Sequence, residues 1–520
     1  MRTISMLAAF ALAIASLSVD RAWANEGAKS ARPPTASTVA KSLTPAPDAA
    51  TRHEIDIGGQ HISYTATAGT LPLTEGDGTL AAHVFYTAYA ADAARGPRPV
   101  TFVFNGGPGA ASAFLHIGAL GPRAVPFNDK GSAALRPIRL VDNPDTWLLF
   151  TDLVFVDPVA TGYSRAVVGH DKAKKKFFGV DKDAKAMSEV ARLYLTRQGR
   201  LLDPVFVVGE SYGGFRAILV AKRLLHSGFD VRGAVLISPV IEFSLIRGDA
   251  VTVLPIALSL PSIACAHAEL KTATKPDPAM LKEVETFARG RYVGHLVAGM
   301  REDPEINAAL AQFTGLPIDR IARRHGRVSV GDFTDTFRRS HDRALSLYDG
   351  SVSVALPRPA SRYPSDPILD YAVSALSPAF VAYARNDLGY ATDLAYDLLN
   401  REVSSQWDYG LTPPRQGYAG ALDDLQEART QLPSLRILVA TGCTDLVTPY
   451  AVSQYLIDQI EPIAGAVPVE MKMYLGRRAH DVLARPFSKC ARDRRPTNVR
   501  RGDALAERLT ACSVATPQRP

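Results

Sequence analysis

Cysteine is scarce in this chain, with only four among 520 residues: Cys265, Cys443, Cys490 and Cys512. Their spacing matches no zinc-binding signature, and we therefore expect neither a metal site nor a cofactor. Cys490 and Cys512 flank an arginine-rich tail and form the preferred disulfide pair. The sequence leaves open whether Cys265 and Cys443 pair.

The glycine patterns of nucleotide-binding sites are also lacking, since the sequence contains neither G-x-G-x-x-G nor a G-K-[ST] triplet. Lysine and arginine together number 59 against 52 acidic residues, which gives a modest net charge of +7. The basic residues are scattered and form no patch interleaved with aromatic side chains. We therefore do not expect the protein to bind nucleic acid.

Long hydrophobic runs are confined to the N-terminus. An apolar run at 6–19 follows Arg2, and Ala22-Trp23-Ala24 offers a cleavage site before Asn25. This pattern predicts a secretory signal peptide over residues 1–24, and hence a periplasmic or secreted protein. An uncleaved N-terminal anchor is the alternative interpretation. No later segment is apolar for long enough to span a bilayer.

The rest of the chain has the composition of a globular protein with a real core, at 47% hydrophobic residues. Residues 25–50 are rich in Ala, Pro, Ser and Thr and are interpreted as a flexible leader. From there short hydrophobic strands alternate with helical stretches, which predicts an α/β fold: a mostly parallel sheet with helices on both faces. We divide this core into residues 51–243 and residues 431–520, the latter including the C-terminal tail. No feature of the sequence indicates an oligomeric state.

Residues 244–430 do not show this alternation of strands and helices. We therefore predict that they form a mostly helical insertion, or cap, over the edge of the sheet where open α/β sheets bind ligands. An independent second domain is the alternative, but the strand series resumes afterwards, which favours an insertion. The predicted helices of the insertion lie around 278–289, 304–313, 332–347 and 390–399. In the core we predict helices at 183–197 and 215–226, and strands at 53–57, 60–67, 82–88, 100–104, 153–156, 205–208, 234–238, 437–440 and 469–475.

One predicted strand, 205–208, leads into Gly209-Glu210-Ser211-Tyr212-Gly213 and then into the helix at 215–226. A strand, a G-x-S-x-G sequence and a helix together form a nucleophile elbow, in which the glycines let strand and helix approach and the serine stands exposed above the sheet. A tight turn with an incidental serine is the alternative. We interpret Ser211 as the nucleophile and the backbone N–H of Tyr212 as one donor of an oxyanion hole.

An acid and a base are needed to activate this serine. Asp445 follows the predicted strand 437–440 on a turn, Thr441-Gly442-Cys443-Thr444-Asp445. If the chain order is serine, aspartate, histidine, the base must be His480, since it is the one histidine after Asp445. The three residues predict acyl transfer to water through an acyl-enzyme, with Asp445 orienting the imidazole.

Five motifs together resemble the serine carboxypeptidase family. They are N-P-D-T-W at 143–147, F-V-D-P-V-A-T-G-Y-S at 155–164, G-C-T-D at 442–445, and above all N-G-G-P-G at 105–109 with G-E-S-Y-G-G at 209–214. The resemblance extends over roughly residues 51–485, loosely in the insertion. It implies an α/β-hydrolase core with a helical insertion and the triad Ser211, Asp445 and His480.

The resemblance also implies how a peptide is held. Backbone N–H groups of Gly107 and Tyr212 would form the oxyanion hole, and Asn105 and Glu210 would hydrogen-bond the free C-terminal carboxylate of a peptide substrate. A carboxylic acid can donate to a carboxylate only while protonated, so acidic pH should favour binding. A structural role for Glu210 in supporting the elbow is the alternative.

Three positions depart from the family pattern. Val103 stands where better-known members have tryptophan, Ala119 stands where they have glutamate, and His480 is followed by Asp481 instead of methionine. We therefore keep two alternatives to an exported serine carboxypeptidase. One is an esterase or acyltransferase on the same fold, and the other is a catalytically weakened protein that binds carboxylates.

Overall fold

The structure, a computed structural model, describes residues 44–92, 98–128, 137–246, 251–356, 366–410 and 419–475. The predicted signal peptide, His480, Cys490 and Cys512 lie outside these ranges. Within them, we find no helix with the length and apolar character needed to cross a membrane.

Fourteen strands are present in the described ranges: β1 Ala49–Ile57, β2 Gln60–Thr74, β3 Leu80–Ala91, β4 Val100–Phe104, β5 Arg123–Ala124, β6 Val141–Asp142, β7 Asp152–Val156, β8 Arg165–Ala166, β9 Val205–Glu210, β10 Val231–Ile237, β11 Arg343–Leu345, β12 Ser353–Ala355, β13 Arg436–Gly442 and β14 Glu470–Tyr474. β1 thus begins at the end of the predicted leader. Ten of these strands form one sheet, in the order β1-β2-β3-β7-β4-β9-β10-β13-β14 with β8 beside β3.

This sheet is antiparallel from β1 to β7 and parallel from β7 to β14. The strands at its centre are hydrophobic on both faces, as parallel strands covered on both sides must be. Phe102 of β4 belongs to one hydrophobic cluster and its neighbour Val103 to another on the opposite face. The strand order and directions are those of the α/β-hydrolase fold, which confirms the predicted fold class.

Fourteen α-helices accompany the strands in the described part of the chain: α1 Ala113–Leu115, α2 His170–Phe177, α3 Val180–Arg197, α4 Tyr212–His226, α5 Leu254–Thr272, α6 Pro278–Phe287, α7 Val293–Val297, α8 Pro304–Thr314, α9 Ile318–Arg323, α10 Val330–His341, α11 Pro367–Asn386, α12 Arg401–Ser405, α13 Leu422–Gln431 and α14 Tyr450–Asp458. Short π-helical turns at His116–Leu120 and Ala288–Tyr292 and 3-10 turns at Trp147–Leu149 and Phe243–Leu245 complete the helical elements. Helices α3, α4, α13 and α14 contribute to the cluster on one face, and α11 to the cluster on the other.

Between β10 and β13 lie helices α5 to α13 and the small β11-β12 hairpin. Helices α5 to α10 enclose a third hydrophobic cluster of their own, built around Leu260, Val284, Ile306 and Leu310. Helix α11 instead packs on the sheet through Leu376 and Phe380. The division of the chain at residues 244 and 430 remains a prediction.

Two predicted helices of this region differ in the structure. The one at 332–347 ends at His341, because Asp342 adopts a left-handed conformation with φ of 52° and the chain enters β11. The segment 390–399 is not helical but runs along the core, where Tyr390 and Tyr396 both pack against Tyr163. Tertiary packing of aromatic side chains therefore overrides the helix-like pattern.

Candidate active site

Ser211 stands in the sharp turn between β9 and α4 and has φ of 57° and ψ of −123°. This backbone conformation is rare for a residue with a side chain, and such strain is typical of functional sites. The Ser211 N–H donates to the Ile237 carbonyl of β10 at 2.9 Å, which fixes the turn to the next strand. Ser211 is partly exposed although its neighbours on α4 are buried.

The glycine-rich loop after β4 packs directly on this turn. A Cβ atom on Gly106 would lie 2.7 Å from the Tyr212 nitrogen, and one on Gly213 would lie 2.9 Å from the Asn105 carbonyl oxygen. Side chains at either position would separate the loop from the serine turn. Gly107, the predicted oxyanion donor, has φ of 100°, in the left-handed region that favours glycine.

Asn105 and Glu210 are in contact beside the serine. The Asn105 side-chain amide donates from Nδ2 to Oε2 of Glu210 at 3.3 Å, and its Oδ1 accepts from the backbone N–H of Leu115 at 2.9 Å. Asn105 is buried, whereas Glu210 is partly exposed like Ser211. The structure therefore brings together two groups that are 105 residues apart in the chain and orients the amide from both ends.

The protonation of Glu210 is shifted toward the neutral acid. Burial raises the pKa of Glu210 to about 7, a carboxylate at Asp445 raises it as well, and hydrogen bonds from Asn105 and the Gly106 backbone act in the opposite direction. Glu210 is thus a carboxylic acid that is still largely protonated under mildly acidic conditions.

Asp445 lies on the turn after β13, as the sequence predicted, and its carboxylate is held by several donors. Oδ1 accepts from the backbone N–H groups of Val447 and Thr448, each at 2.9 Å, and Oδ2 accepts from the Thr448 hydroxyl at 2.7 Å. Burial raises the pKa of Asp445 to about 6, and the hydrogen bonds from Thr448, Ser238 and Val447 lower it. The residue is therefore oriented and ionised above about pH 6.

The structure thus gathers Ser211, Tyr212, Asn105, Glu210 and Gly107 around two loops. Asp445 is near enough to influence the protonation of Glu210. His480, the predicted base, lies outside the described residues. Its relation to Asp445 and Ser211 stays a prediction.

Two departures from the family pattern fall in the hydrophobic core. Val103 and Ala119 are both fully buried and belong to the cluster on the α11 face of the sheet. The Ala119 carbonyl accepts a hydrogen bond from the Asn143 amide at 2.6 Å, which ties this turn to the N-P-D-T-W motif. At position 119 this chain therefore has a buried alanine where better-known members of the family have glutamate.

Three residues near the site were missed by the sequence analysis. Arg216, on the buried face of α4, and Asp183, on α3, form an ion pair with Nε 2.6 Å from Oδ2. An arginine on the otherwise apolar face of a helix was the available signal. Tyr348, between β11 and β12, lies close enough to Glu210 and Asp445 that both carboxylates raise its pKa. Nothing in its local sequence points to that position.

Among the residues that the structure describes, no group of three or more His, Cys, Asp or Glu side chains could hold a metal ion.

Comparison with known proteins gives one family match. The family model of serine carboxypeptidases (Peptidase S10) matches residues 60–236, which include β4, the glycine-rich loop and the serine turn. No curated protein sequence matches the chain.

Several solved structures are similar at low identity. A prohormone-processing carboxypeptidase from Saccharomyces cerevisiae, Kex1(Δ)p, is 17% identical, with 78% of each chain covered and a TM-score of 0.47. The peroxisomal α/β-hydrolase Lpx1 of Saccharomyces cerevisiae is 10% identical over 90% of this chain and 97% of its own, with a TM-score of 0.31. Homoserine O-acetyltransferase from Staphylococcus aureus is 12% identical over 85% and 99%, with a TM-score of 0.31.

The family match covers the loop that carries Asn105 and the turn that carries Glu210 and Ser211. It ends before Asp445, so the acid and the base of the predicted triad lie beyond it. Over residues 60–236, the resemblance of this chain to the serine carboxypeptidase family is therefore confirmed.

Proposed function

We propose that this protein is an exported serine-type carboxypeptidase that hydrolyses the C-terminal peptide bond of a peptide through an acyl-enzyme. The observation that carries the proposal is the hydrogen bond between Asn105 and Glu210, immediately next to Ser211. An amide and a protonated carboxylic acid side by side form a donor pair for a carboxylate. A generic esterase has no need of such a pair.

Binding would proceed through this donor pair. The protonated Glu210 donates its O–H to one oxygen of the substrate's C-terminal carboxylate, and the Asn105 amide donates to the other. Because burial raises the pKa of Glu210 to about 7, this acid form persists under mildly acidic conditions. Above that pH an ionised Glu210 would repel the substrate's carboxylate, which predicts weaker binding.

The chemical step uses the serine turn. The Ser211 hydroxyl attacks the carbonyl carbon of the last peptide bond while His480 takes its proton, and Asp445 holds the imidazolium. The N–H groups of Gly107 and Tyr212 donate to the oxyanion. His480 then gives the proton to the leaving amine, and the C–N bond breaks. Water then attacks the acyl-enzyme and loses a proton to His480. The C–O bond to Ser211 breaks, His480 returns the proton to the serine oxygen, and the shortened peptide is released.

Two carboxyl groups, besides the base His480, limit the working pH of this scheme. Glu210 must be protonated, which holds below about 7, and Asp445 must be ionised, which holds above about 6. The product of the two fractions is largest between these values. The proposal therefore includes a mildly acidic optimum for kcat/KM.

An N-blocked dipeptide with a free C-terminus tests the proposal. Release of the C-terminal amino acid is expected, with Ser211→Ala as the inactive control. The same dipeptide blocked as a C-terminal amide should be turned over much more slowly, because it offers no carboxylate to Asn105 and Glu210.

Other outcomes would assign the site to one of the alternatives. Turnover of simple esters without cleavage of the free dipeptide would support an esterase or acyltransferase. Failure of Ser211 to react with a fluorophosphonate in the folded protein would support a carboxylate-binding protein without catalysis. Export is tested separately, by N-terminal sequencing of the mature protein, which should begin at Asn25.

A further inference from the structure

Arg216 is a deeply buried cation near the site, and the residue is only 1% exposed. Its Nε donates to Asp183 on α3 at 2.6 Å, and its Nη1 donates to the main-chain carbonyl oxygen of Asn105 at 2.5 Å. Its guanidinium also lies 5.1 Å from the ring centroid of Tyr212. One arginine thus connects the helix after the serine to the loop that carries the donor pair.

The carbonyl that Arg216 holds belongs to the peptide unit between Asn105 and Gly106. Because a trans peptide unit is planar, its C=O and its N–H point in opposite directions, and fixing one fixes the other. The N–H of this unit is that of Gly106, which hydrogen-bonds the Glu210 carboxyl. The second donor to Glu210 is the side-chain amide of Asn105, the residue whose carbonyl accepts from Arg216.

We propose that Arg216 is a positioning residue that orients the Asn105–Gly106 peptide unit, and so sets the geometry of Asn105 and Glu210 for a substrate carboxylate. The Asp183 carboxylate supports this role because it neutralises the guanidinium and accepts the Nε hydrogen bond that fixes its orientation toward the loop. A lysine could not replace it, since a single ammonium lacks the planar fork that reaches both Asp183 and Asn105. This inference rests on the carboxypeptidase function proposed above.

The direction of the expected pH effect follows from the contacts of Glu210. The Gly106 N–H stabilises the ionised carboxylate and lowers the pKa of Glu210. If the peptide unit turns away, that donor is lost and the pKa of Glu210 rises. The titratable groups facing Glu210 from neighbouring elements are Asp445, after β13, and Tyr348, between β11 and β12. Neither contacts Arg216, and both remain in the variants.

The test compares Arg216→Lys with Arg223→Lys. Arg223 lies on the same helix α4, and its Nη2 is 3.7 Å from Oδ1 of Asp181 on α3. It is only partly buried and lies far along the helix from the loop. For the N-blocked dipeptide, Arg216→Lys should raise KM about tenfold, the size of one lost hydrogen bond. The pH at which KM begins to climb should also move upward, while Arg223→Lys leaves both unchanged. A folded Arg216→Lys protein with wild-type KM and pH midpoint would overturn the proposal.

A merely structural role would give a different result. It would reduce thermal stability and the active fraction of enzyme, which lowers kcat, without moving KM or its pH midpoint. Where Arg216→Lys does not fold, the double variant Asp183→Asn/Arg216→Gln removes both charges together and leaves no unpaired buried charge. Its shorter side chain at position 216 does not reach Asn105, so the same changes in KM and pH midpoint are expected. Their absence would again overturn the proposal.

A second readout separates this inference from the proposed function. Infrared titration follows the protonated carboxyl band of Glu210, assigned by subtracting the spectrum of Glu210→Gln. Its midpoint should be higher in Arg216→Lys than in the wild type, whether or not peptides are cleaved. A wild-type enzyme that releases no C-terminal residue contradicts the proposed function, whereas an unmoved infrared midpoint contradicts the positioning role.

Discussion

A disulfide joins Cys265, on helix α5 of the region between β10 and β13, to Cys443, two residues before Asp445. Both cysteines are fully buried. The same region also holds the Asp445 turn through the Leu446 N–H, which donates to the Leu347 carbonyl at 2.8 Å. The acid of the proposed triad is thus fastened to helix α5, through a disulfide with a sequence separation of 178 residues, and to Leu347.

Removing this disulfide should destabilise the fold and loosen the Asp445 turn. The bond closes a loop with a sequence separation of 178 residues. We expect Cys265→Ala/Cys443→Ala to lose about 2–5 kcal/mol of unfolding free energy, because the cross-link restricts the unfolded chain. Urea denaturation under non-reducing conditions measures the loss.

The control for this change is Cys490→Ala/Cys512→Ala, which leaves Cys265 and Cys443 in place. Dithiothreitol should destabilise that control, which keeps the Cys265–Cys443 bond, more than it destabilises the Cys265→Ala/Cys443→Ala protein, in which Cys490 and Cys512 are the remaining predicted pair. Equal stability of all three proteins would contradict the prediction.

The side chain of Glu210 should govern the acid preference. Because burial raises its pKa to about 7, the wild type binds free-acid substrates best below that pH and loses affinity as the pH rises through it. Glu210→Gln keeps a neutral donor at every pH, so we expect its KM to be nearly independent of pH between about 5 and 8. KM measured with the N-blocked dipeptide over this range tests the change, and a profile identical to the wild type would rule out the assigned role.

The hydroxyl of Thr448 should contribute to the acidic limit of the reaction through Asp445, beside the protonation of His480. It donates to Oδ2 of Asp445 at 2.7 Å and so favours the ionised carboxylate. Thr448→Val removes this donor without changing the shape of the side chain, which should raise the pKa of Asp445 further above its present value of about 6. Since a hydrogen bond to a charged group is worth about 1.5–3 kcal/mol, the acidic limb of kcat should move up by about one pH unit or more.

Thr448→Ser is the matched control, since it keeps the hydroxyl and should leave the limb in place. Superimposable kcat profiles for the valine and serine variants would show that Thr448 does not act on Asp445.

The backbone strain at Ser211 should appear as a stability cost. Its φ of 57° and ψ of −123° are accessible to glycine but strained for alanine. Strain of this kind costs about 1–3 kcal/mol, part of which is offset by the greater freedom of glycine in the unfolded chain. We therefore expect Ser211→Gly to be more stable than Ser211→Ala by about 1 kcal/mol in urea, with both proteins inactive.

Ser188, within α3, offers the matched control, because it has an ordinary helical environment. At this position we expect the opposite result: Ser188→Gly should be less stable than Ser188→Ala by about 1 kcal/mol. If Ser211→Gly is less stable than Ser211→Ala, as expected at position 188, the strain argument is contradicted.

Much of the core could be predicted because its signals are local. The strand 100–104 coincides with β4, and the strand 205–208 lies within β9, since fully buried parallel strands are short uninterrupted hydrophobic runs. The serine turn is equally local, because Gly209 and Gly213 permit the close approach of β9, α4 and the Asn105 loop. Both features depend on residues within a few positions of each other.

The segment 390–399 could not be predicted in the same way. Its pattern is compatible with a helix, but Tyr390 and Tyr396 pack against Tyr163 in a segment without regular secondary structure. The pairing of Cys265 with Cys443 could also not be predicted from the sequence, since it depends on how α5 packs against the turn after β13.

The sequence by itself determined the central hydrophobic strands, the serine turn at Ser211 and the aspartate turn at Asp445, because hydrophobic periodicity and glycine spacing act over short stretches of chain. Only the tertiary structure decided that Arg216 reaches the carbonyl of Asn105, 111 residues away, and that Asn105 meets Glu210. A buried guanidinium must find an acceptor and a negative charge wherever the fold places them. No local sequence pattern encodes those partners. For Arg216 they are Asp183 on α3 and the carbonyl oxygen of Asn105 in the loop that faces Ser211.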